Sequence, residues 1–416
     1  MNKKLGASLG GLVVVGLGVW LGGTAYSSYM FDEQLNAQIQ RINAETPQLD
    51  LEAADVERGF FSSTGTLSAR TKGESDQPPL TVTAPYTAHH GLLSTEVEGT
   101  LDAKTEGDTP YVFSTLLAGG DKARFHSTFS HLDQGATLTL DVPDLKADTG
   151  AQHMSLDGLS IEANLDQKQW HVDGSFGALG YRDFSGELTL GNTHFDATQE
   201  GRPAVMERRV NMTINDARLS AEQLMPVTVK TTQLASRLTH HDKMLDQTVQ
   251  AELTDMSTAG QRLGNLTMNS SLSDVNADGW YGAKALLDQH PEWAQGDVDA
   301  RALRDLTPSV LKALSSSPTW TLSTLRFEGP LFNKPITAEG TVDFDGNDVQ
   351  SLPADALATD VGQRALLERV KGKLTLNNAP PIISLIVGAP DQSKLVFKLS
   401  DRTLYVNDRE FTRLGD

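Results

Sequence analysis

Four hundred and sixteen residues allow two or three domains, or one long β architecture, and leave ample chain for a sizeable core. About 45% of the residues are apolar once glycine is counted and 21% are charged, a globular balance that excludes a disordered chain. Thirty-five basic against 54 acidic residues leave a net charge of −19, which repels a nucleic-acid backbone, and the absence of cysteine excludes disulfides, thiol catalysis and zinc–cysteine sites.

The chain opens with Lys3 and Lys4 before an uncharged run from Leu5 to Phe31. About 20 helical residues cross a hydrocarbon core, so this run predicts one transmembrane helix, with residues 1–31 forming a cytoplasmic tip and anchor. The competing reading is a cleaved signal peptide, because Gly23, Thr24 and Ala25 are small enough for a cleavage site, although the apolar stretch exceeds the usual signal core. Trp20 and Tyr26 suit the far interface, and the lysines before the span, with Asp32 and Glu33 after it, place the N-terminus in the cytoplasm and the body outside it. Gly6, Gly10, Gly18 and Gly22 share a four-residue repeat broken at Val14, a candidate pairing face for a homodimer; the plainer account is that glycine is common in membrane helices. Gly6 to Gly10 also spells a nucleophile elbow, but that device needs a strand-to-helix turn in a soluble sheet. No later segment approaches 18 uncharged apolar residues, the longest short run being 381–387.

Phe31, Leu35, Ile39 and Ile42 fall at helical spacing and predict an amphipathic continuation of the anchor that ends before Pro47. Beyond it the period is two. Ala136, Leu138, Leu140 and Val142 alternate with polar residues, as do Leu159 to Leu165, Val210 to Ile214, Val249 to Leu253, Ile336 to Phe344 and Leu395 to Leu399. Such persistence predicts half-buried antiparallel strands, with turn signals at Asp157-Gly158, Asp345-Gly346 and Ser400-Asp401-Arg402. Helical patterns occupy about 283–315, interrupted by Pro291 and Pro308, and about 354–370. A short motif of glycine, one residue and an apolar residue recurs at Gly65, Gly99, Gly186, Gly264, Gly340 and Gly372, without the fixed period of a solenoid. The fold expected is therefore mainly β: an N-terminal transmembrane helix followed by an elongated antiparallel β-meander body with a few helices. Pro226 suggests a division into β-rich halves at 32–225 and 226–416, the second carrying the helical insertions.

Catalytic signatures are missing. Adjacent histidines at 89–90 and 240–241 would point to opposite faces of a strand, and no His-Glu-x-x-His helix occurs. Asp343, Asp345, Asn347 and Asp348 resemble part of a calcium loop, but Gly346 is misplaced and the closing glutamate is absent. No phosphate-cradling glycine loop is present, and acidic pairs such as Glu96 and Glu98 carry no specificity among 54 acids. No cofactor, metal or catalytic residue is expected, and the reading is of a non-enzymatic protein.

After the anchor, Arg58-Gly59-Phe60-Phe61-Ser62-Ser63 leads into Gly65-Thr66-Leu67, and His90-Gly91 follows an alternating strand. Together with Trp20 to Gly23, Tyr26, the Gly264 to Trp280 block and Leu404 to Asn407, these residues resemble the YdgA-like family of bacterial inner-membrane-anchored envelope proteins, a domain of unknown function. Leu92-Leu93 stand where that family has Pro-Phe. The resemblance implies a Gram-negative periplasm and carries no catalytic residue across. Read from its own residues, the Arg58 to Ser63 segment is a bulge that anchors the core, or else a surface where Arg58 and exposed aromatics meet lipid head groups or a partner. The expectation is a single-pass inner-membrane protein with its bulk in the periplasm, binding lipid or another hydrophobic ligand in a β-sheet groove. The alternative is a homodimeric envelope scaffold without a lipid ligand.

Overall fold

Alternation dictates the architecture that the computed structural model shows: strand after strand, each paired antiparallel with its neighbour. The described residues are 35, 36, 39, 40, 43, 49–71, 80–105, 122–131, 135–148, 152–166, 168–202, 205–221, 224–290, 293, 299–390 and 392–415. The predicted transmembrane helix, with Gly6, Gly10, Gly18, Gly22, Trp20 and Tyr26, lies outside them. Among the described residues no helix is long and apolar enough to cross a membrane. The chain divides into two units, Met1–Gln199 with Thr213–Thr228, and Glu200–Met212 with Val229–Asp416.

In the first unit β1 (Leu49–Arg58), β2 (Ser62–Thr71), β3 (Leu80–His90), β4 (Ser94–Thr105), β5 (Ala123–Ser130) and β6 (Ala136–Val142) pair in sequence order. The next strands are β7 (Leu145–Asp148), β8 (His153–Leu156), β9 (Leu159–Leu165), β10 (Gln169–Phe176), β11 (Leu179–Asp183), β12 (Gly186–Leu190) and β13 (Thr193–Arg202). With β6 they make eight halves of four longer strands: β6 pairs with β9 while β7 pairs with β8, β9 pairs with β10 while β8 pairs with β11, and β10 pairs with β13 while β11 pairs with β12. The Asp157-Gly158 signal therefore interrupts one long strand instead of reversing the chain. The crease continues sideways, since the Gly177 amide donates to the Asp157 carbonyl and the Gly191 amide to the Asn215 carbonyl, both at 2.8 Å. Gly158, with φ at +57°, takes the left-handed backbone this break needs.

One cross-strand row organises the inner face. Gly65 stands opposite Tyr86, Tyr86 opposite Gly99, Gly99 opposite Phe125, then Leu140, Ile161 and Gly174 follow on successive strands. Tyr86, Phe125 and Phe195 lie over the three glycines: a Cβ on Gly65 would fall 2.7 Å from the Tyr86 hydroxyl, and one on Gly174 would fall 2.2 Å from the Phe195 ring. The recurring glycine motif thus marks, at 65 and 99, places where an aromatic ring occupies the volume a side chain would need. Asp55, with φ at +53°, forms a bulge in β1 beside the start of this row. Around it Leu51, Leu67, Val82, Val97, Leu101, Leu138 and Val142 are all buried. Of the expected amphipathic helix, residues 35, 36, 39, 40 and 43 are helical. Leu35 and Ile39 are buried in the same core, and the Asn43 side chain binds both the amide and the carbonyl of Leu51 at 2.8 Å.

β14 (Val205–Ala221) and β15 (Leu224–His241) contribute residues to both units, and β16 (Met244–Thr258) and β17 (Gln261–Asn276) begin the second unit's own meander. Two helices follow, α1 (Ala277–Gln289) and α2 (Ala300–Leu314). Asn276 and Asp299 cap them through side-chain oxygens that accept backbone N–H groups. Gly279 lets the helices touch, for a Cβ there would lie 2.1 Å from the Ala313 nitrogen. Pro308 sits inside α2 without ending it; that helix is held by buried Ala302, Leu306 and Leu311, packing that outweighs the lost backbone bond. β18 (Thr319–Glu328), β19 (Ile336–Phe344), α3 (Asp360–Leu367), β20 (Val370–Asn377), α4 (Pro381–Ile386), β21 (Lys394–Ser400), β22 (Thr403–Val406) and β23 (Arg409–Arg413) complete the chain. The expected 354–370 helix is shorter, starting only where Thr359 caps the Gly362 amide. Asp401-Arg402 and Asn407-Asp408 form two-residue turns with both φ positive, joining β21 to β22 and β22 to β23. Asp345-Gly346 makes no hairpin: Gly346 packs against the Leu314 carbonyl, where a Cβ would lie at 2.3 Å.

Gly99→Ala would set a Cβ 2.2 Å from the Pro85 carbonyl oxygen and 2.5 Å from the Phe125 ring. We expect it to destabilise the first unit by about 3 kcal/mol, at the upper end of overpacking costs. Gly158→Ala, with no contact nearer than 3.8 Å, should cost only the left-handed backbone penalty of about 1 kcal/mol. Thermal unfolding of the two variants checks the ranking, and equal losses would remove the steric account of the row.

Candidate functional site

Two hairpin tips in the first unit carry the motif read from the sequence. Arg58 ends β1, Gly59, Phe60 and Phe61 form the turn, and Ser62 and Ser63 open β2. The Gly59 amide donates to the Ser62 carbonyl at 2.7 Å, which closes the turn. The next tip repeats it: Gly91-Leu92-Leu93-Ser94 is closed by the Gly91 amide on the Ser94 carbonyl at 2.8 Å. The tips are adjacent, since the His90 amide donates to the Phe61 carbonyl at 2.7 Å, and the His131 amide binds the Leu93 carbonyl at 2.9 Å in the corresponding place. The same repetition governs the side chains. Ser63 Oγ lies 2.9 Å from His90 Nε2, and Thr95 Oγ1 lies 3.3 Å from His131 Nε2. All four of these polar residues are buried.

Above that buried polar layer the turn residues are bare. Phe60 is 85% exposed, Phe61 72%, Leu92 93% and Leu93 62%, with the two phenyl rings meeting edge to face at 4.7 Å. Each such side chain left in water forgoes roughly 1.5–3 kcal/mol of burial, and here four stand together on two tied turns. The structure therefore brings Phe60, Phe61, Ser63 and His90 to one place. Sequence reasoning missed the partnership of Leu92 and Leu93 with the phenylalanines. The legible signal was the spacing itself, glycine, two large apolar residues and serine at 59–62 and again at 91–94.

The second unit offers a different feature. Its strands set Leu253, Leu266, Phe327 and Ile336 in one cross-strand row, and Ala251, Met268, Leu325, Ala338, Leu376 and Leu395 in the next apolar row. A third runs from Val249 through Ser270, Leu322, Gly340 and Leu374 to Phe397 and Val406. Between them lie polar rows such as Thr248, Ser271, Thr321, Thr341 and Lys373, whose side chains occupy the opposite face. Leu253, Leu266, Met268, Leu325, Phe327, Leu374 and Leu376 are only half-buried. The first unit's inner face is dry by comparison, Leu51, Val82, Val97 and Leu101 each being 1–2% exposed.

Titration behaviour points to turns and ion pairs. The Asp183 carboxyl is held below its ordinary value by the Ser185 hydroxyl first, with the Ser185 amide, Tyr181 hydroxyl and Gly186 amide adding to it. Glu207 is lowered by Arg237 and then Arg209, and Asp345 by the Asn347 amide. Burial raises Tyr281. Among the described residues no three His, Asp or Glu side chains gather to hold a metal ion. A polar groove of about 810 Å³ crosses the first unit, lined by Asp55, Glu98, Arg124, His126 and Asp141 among others.

Residues 1–379 match a family described as bacterial protein of unknown function, DUF945. The chain belongs to that family. No curated protein and no solved structure matches it.

Ser63→Ala removes a buried hydrogen bond from His90 and should cost about 1–3 kcal/mol, whereas Phe60→Ser and Leu92→Ser, changing exposed side chains, should stay within about 0.5 kcal/mol. Thermal scans would decide, and a large loss at Leu92 would mean that the tip is structural. Asp183→Asn should lower the melting temperature at neutral pH. Because the folded-state value is depressed, that contribution is present above the ordinary carboxylate range and fades as pH falls through the lowered one. Melting curves in acid should therefore converge.

Proposed function

We propose that this chain is a non-enzymatic, single-pass inner-membrane protein of the bacterial envelope whose periplasmic body binds lipid acyl chains or a similar hydrophobic ligand on the apolar sheet face of the second unit. The observation that carries the reading is that face: successive rows of mainly apolar residues backed by polar rows, in which Leu253, Leu266, Met268, Leu325 and Phe327 are only half-buried while Leu322, Leu395 and Val406 are buried. Acyl chains suit it because they need area and few hydrogen bonds, and the rows offer a long strip of apolar residues in which Ser270 is the polar member of the row from Val249. The bacterial family, the YdgA-like resemblance and the uncharged run from Leu5 to Phe31 support the envelope setting.

The non-enzymatic reading draws on the burial of the one serine–histidine contact at the tips. Ser63 has 1% of its surface exposed and His90 has 9%, so a substrate carbonyl has no approach to the hydroxyl. The duplicate contact between Thr95 and His131 argues for a structural repeat.

Phospholipid carrying a photoreactive acyl group, added to the full chain in membranes, should crosslink to strands around Met268, Leu325 and Phe327 as well as to residues 5–31. Met268→Asp with Leu325→Asp should reduce the first set at least fivefold and spare the second. Crosslinks confined to residues 5–31 would sink the ligand reading, and efficient disulfide formation between two copies of Met268→Cys would replace it with a dimeric scaffold.

A further inference from the structure

We propose that the two apolar hairpin tips, Phe60-Phe61 and Leu92-Leu93, dip into the interfacial layer of the bilayer that holds the chain's own N-terminal span. The inference rests on the reading of residues 5–31 as that span, and it concerns the first unit alone.

Chain length makes the argument. The uncharged run ends at Phe31, and Leu35 is already 2% exposed within the first unit's core. Only three residues intervene, and even fully extended chain reaches about 14 Å over four steps. The first unit is thus held against the bilayer surface. Within that unit Asn43 is tied to Leu51, so the residues that follow the span are fixed to the strand that leads into the Phe60-Phe61 turn.

The tips have the chemistry of an interfacial contact. Neither Gly59-Phe60-Phe61-Ser62 nor Gly91-Leu92-Leu93-Ser94 contains a charge, and in each the glycine amide is satisfied within the turn. Phenylalanine and leucine are the apolar residues that interfacial segments bury at the boundary between head groups and acyl chains. The buried Ser63–His90 and Thr95–His131 contacts brace both turns, so little order has to be gained on insertion.

The chain has no cysteine, which permits single labels. Leu92→Cys carrying an environment-sensitive fluorophore, in the full chain in phosphatidylethanolamine–phosphatidylglycerol nanodiscs, should emit blue-shifted light. A shallow doxyl lipid should quench it at least twofold more than it quenches the same label at Phe184→Cys in the β11–β12 turn. A Val14→Cys label reports on the span separately. If Val14 is quenched by lipid while Leu92 is quenched only by aqueous iodide, the proposal is overturned and the anchor stands; if Val14 is also open to iodide, the anchor reading fails first and takes the proposal with it. Efficient disulfide formation between two copies of the unlabelled Leu92→Cys variant would overturn it in favour of a dimer contact.

Discussion

The first unit depends on one steric bargain, struck along the row that begins at Gly65 and passes through Tyr86, Gly99, Phe125, Leu140, Ile161 and Gly174. A wide sheet with a dry inner face must fill that face at close-packed density, but large residues opposite one another on every strand would collide. Alternating glycine with an aromatic ring solves this by letting one side chain cover two positions. The ring supplies apolar area, and the glycine supplies space and a backbone that bends. Leu35 and Ile39 then complete the dry layer from outside the sheet.

The second unit uses the same alternation and reaches a different result. Its apolar rows are as regular, yet the described helices cover them only in part. Leu245, Val275, Ala277 and Ala313 make one small cluster where α1 and α2 pack, and Leu311, Val349, Ala356 and Leu366 make another. α4 covers the edge of the rows with one face only: Ile383 packs against Leu395 and Val406 and the buried Ser384 hydroxyl donates to the Gln392 carbonyl at 2.7 Å, while Ile382, Leu385 and Ile386 are exposed. A sheet whose apolar face has no full cover retains surface energy that a ligand can release. That is why the two units, built by one rule, invite different functional readings.

Much of this was legible in the residues. Period-two spacing at 136–142, 159–165 and 249–253 identified strands and their apolar faces, because side-chain direction is a local property of extended backbone. The turn at Asp401-Arg402 was legible for the same local reason. Asp157-Gly158 was not, because a left-handed glycine serves equally to reverse a chain and to crease a strand, and only pairing of β7 with β8 and β6 with β9 distinguishes them. Gly65 and Gly99 were visible as a motif, but their meaning lay in Tyr86 and Phe125, which stand opposite through register and not through sequence distance. Pro308 misled for a related reason, since local chemistry disfavours it in a helix that tertiary packing holds.

The tips combine the residue types of a catalytic pair with the burial and repetition of a structural brace. Ser63 beside His90 has the residue types of a nucleophile and its base. Catalysis would also require room for a substrate at the hydroxyl, and a ring free to pass its proton onward. Burial of both residues removes the first, and recurrence of the arrangement at Thr95 and His131 gives the contact a purpose without chemistry: each ties the base of one hairpin to the end of the next strand. A brace of this kind matters most where the segment above it has no packing of its own. Phe60, Phe61, Leu92 and Leu93 are in that position, exposed on turns whose conformation is set from below. Uncharged and bare, they are costly in water and suited to a medium that is not water, which is the physical reason to read them together with the uncharged run from Leu5 to Phe31 that precedes them.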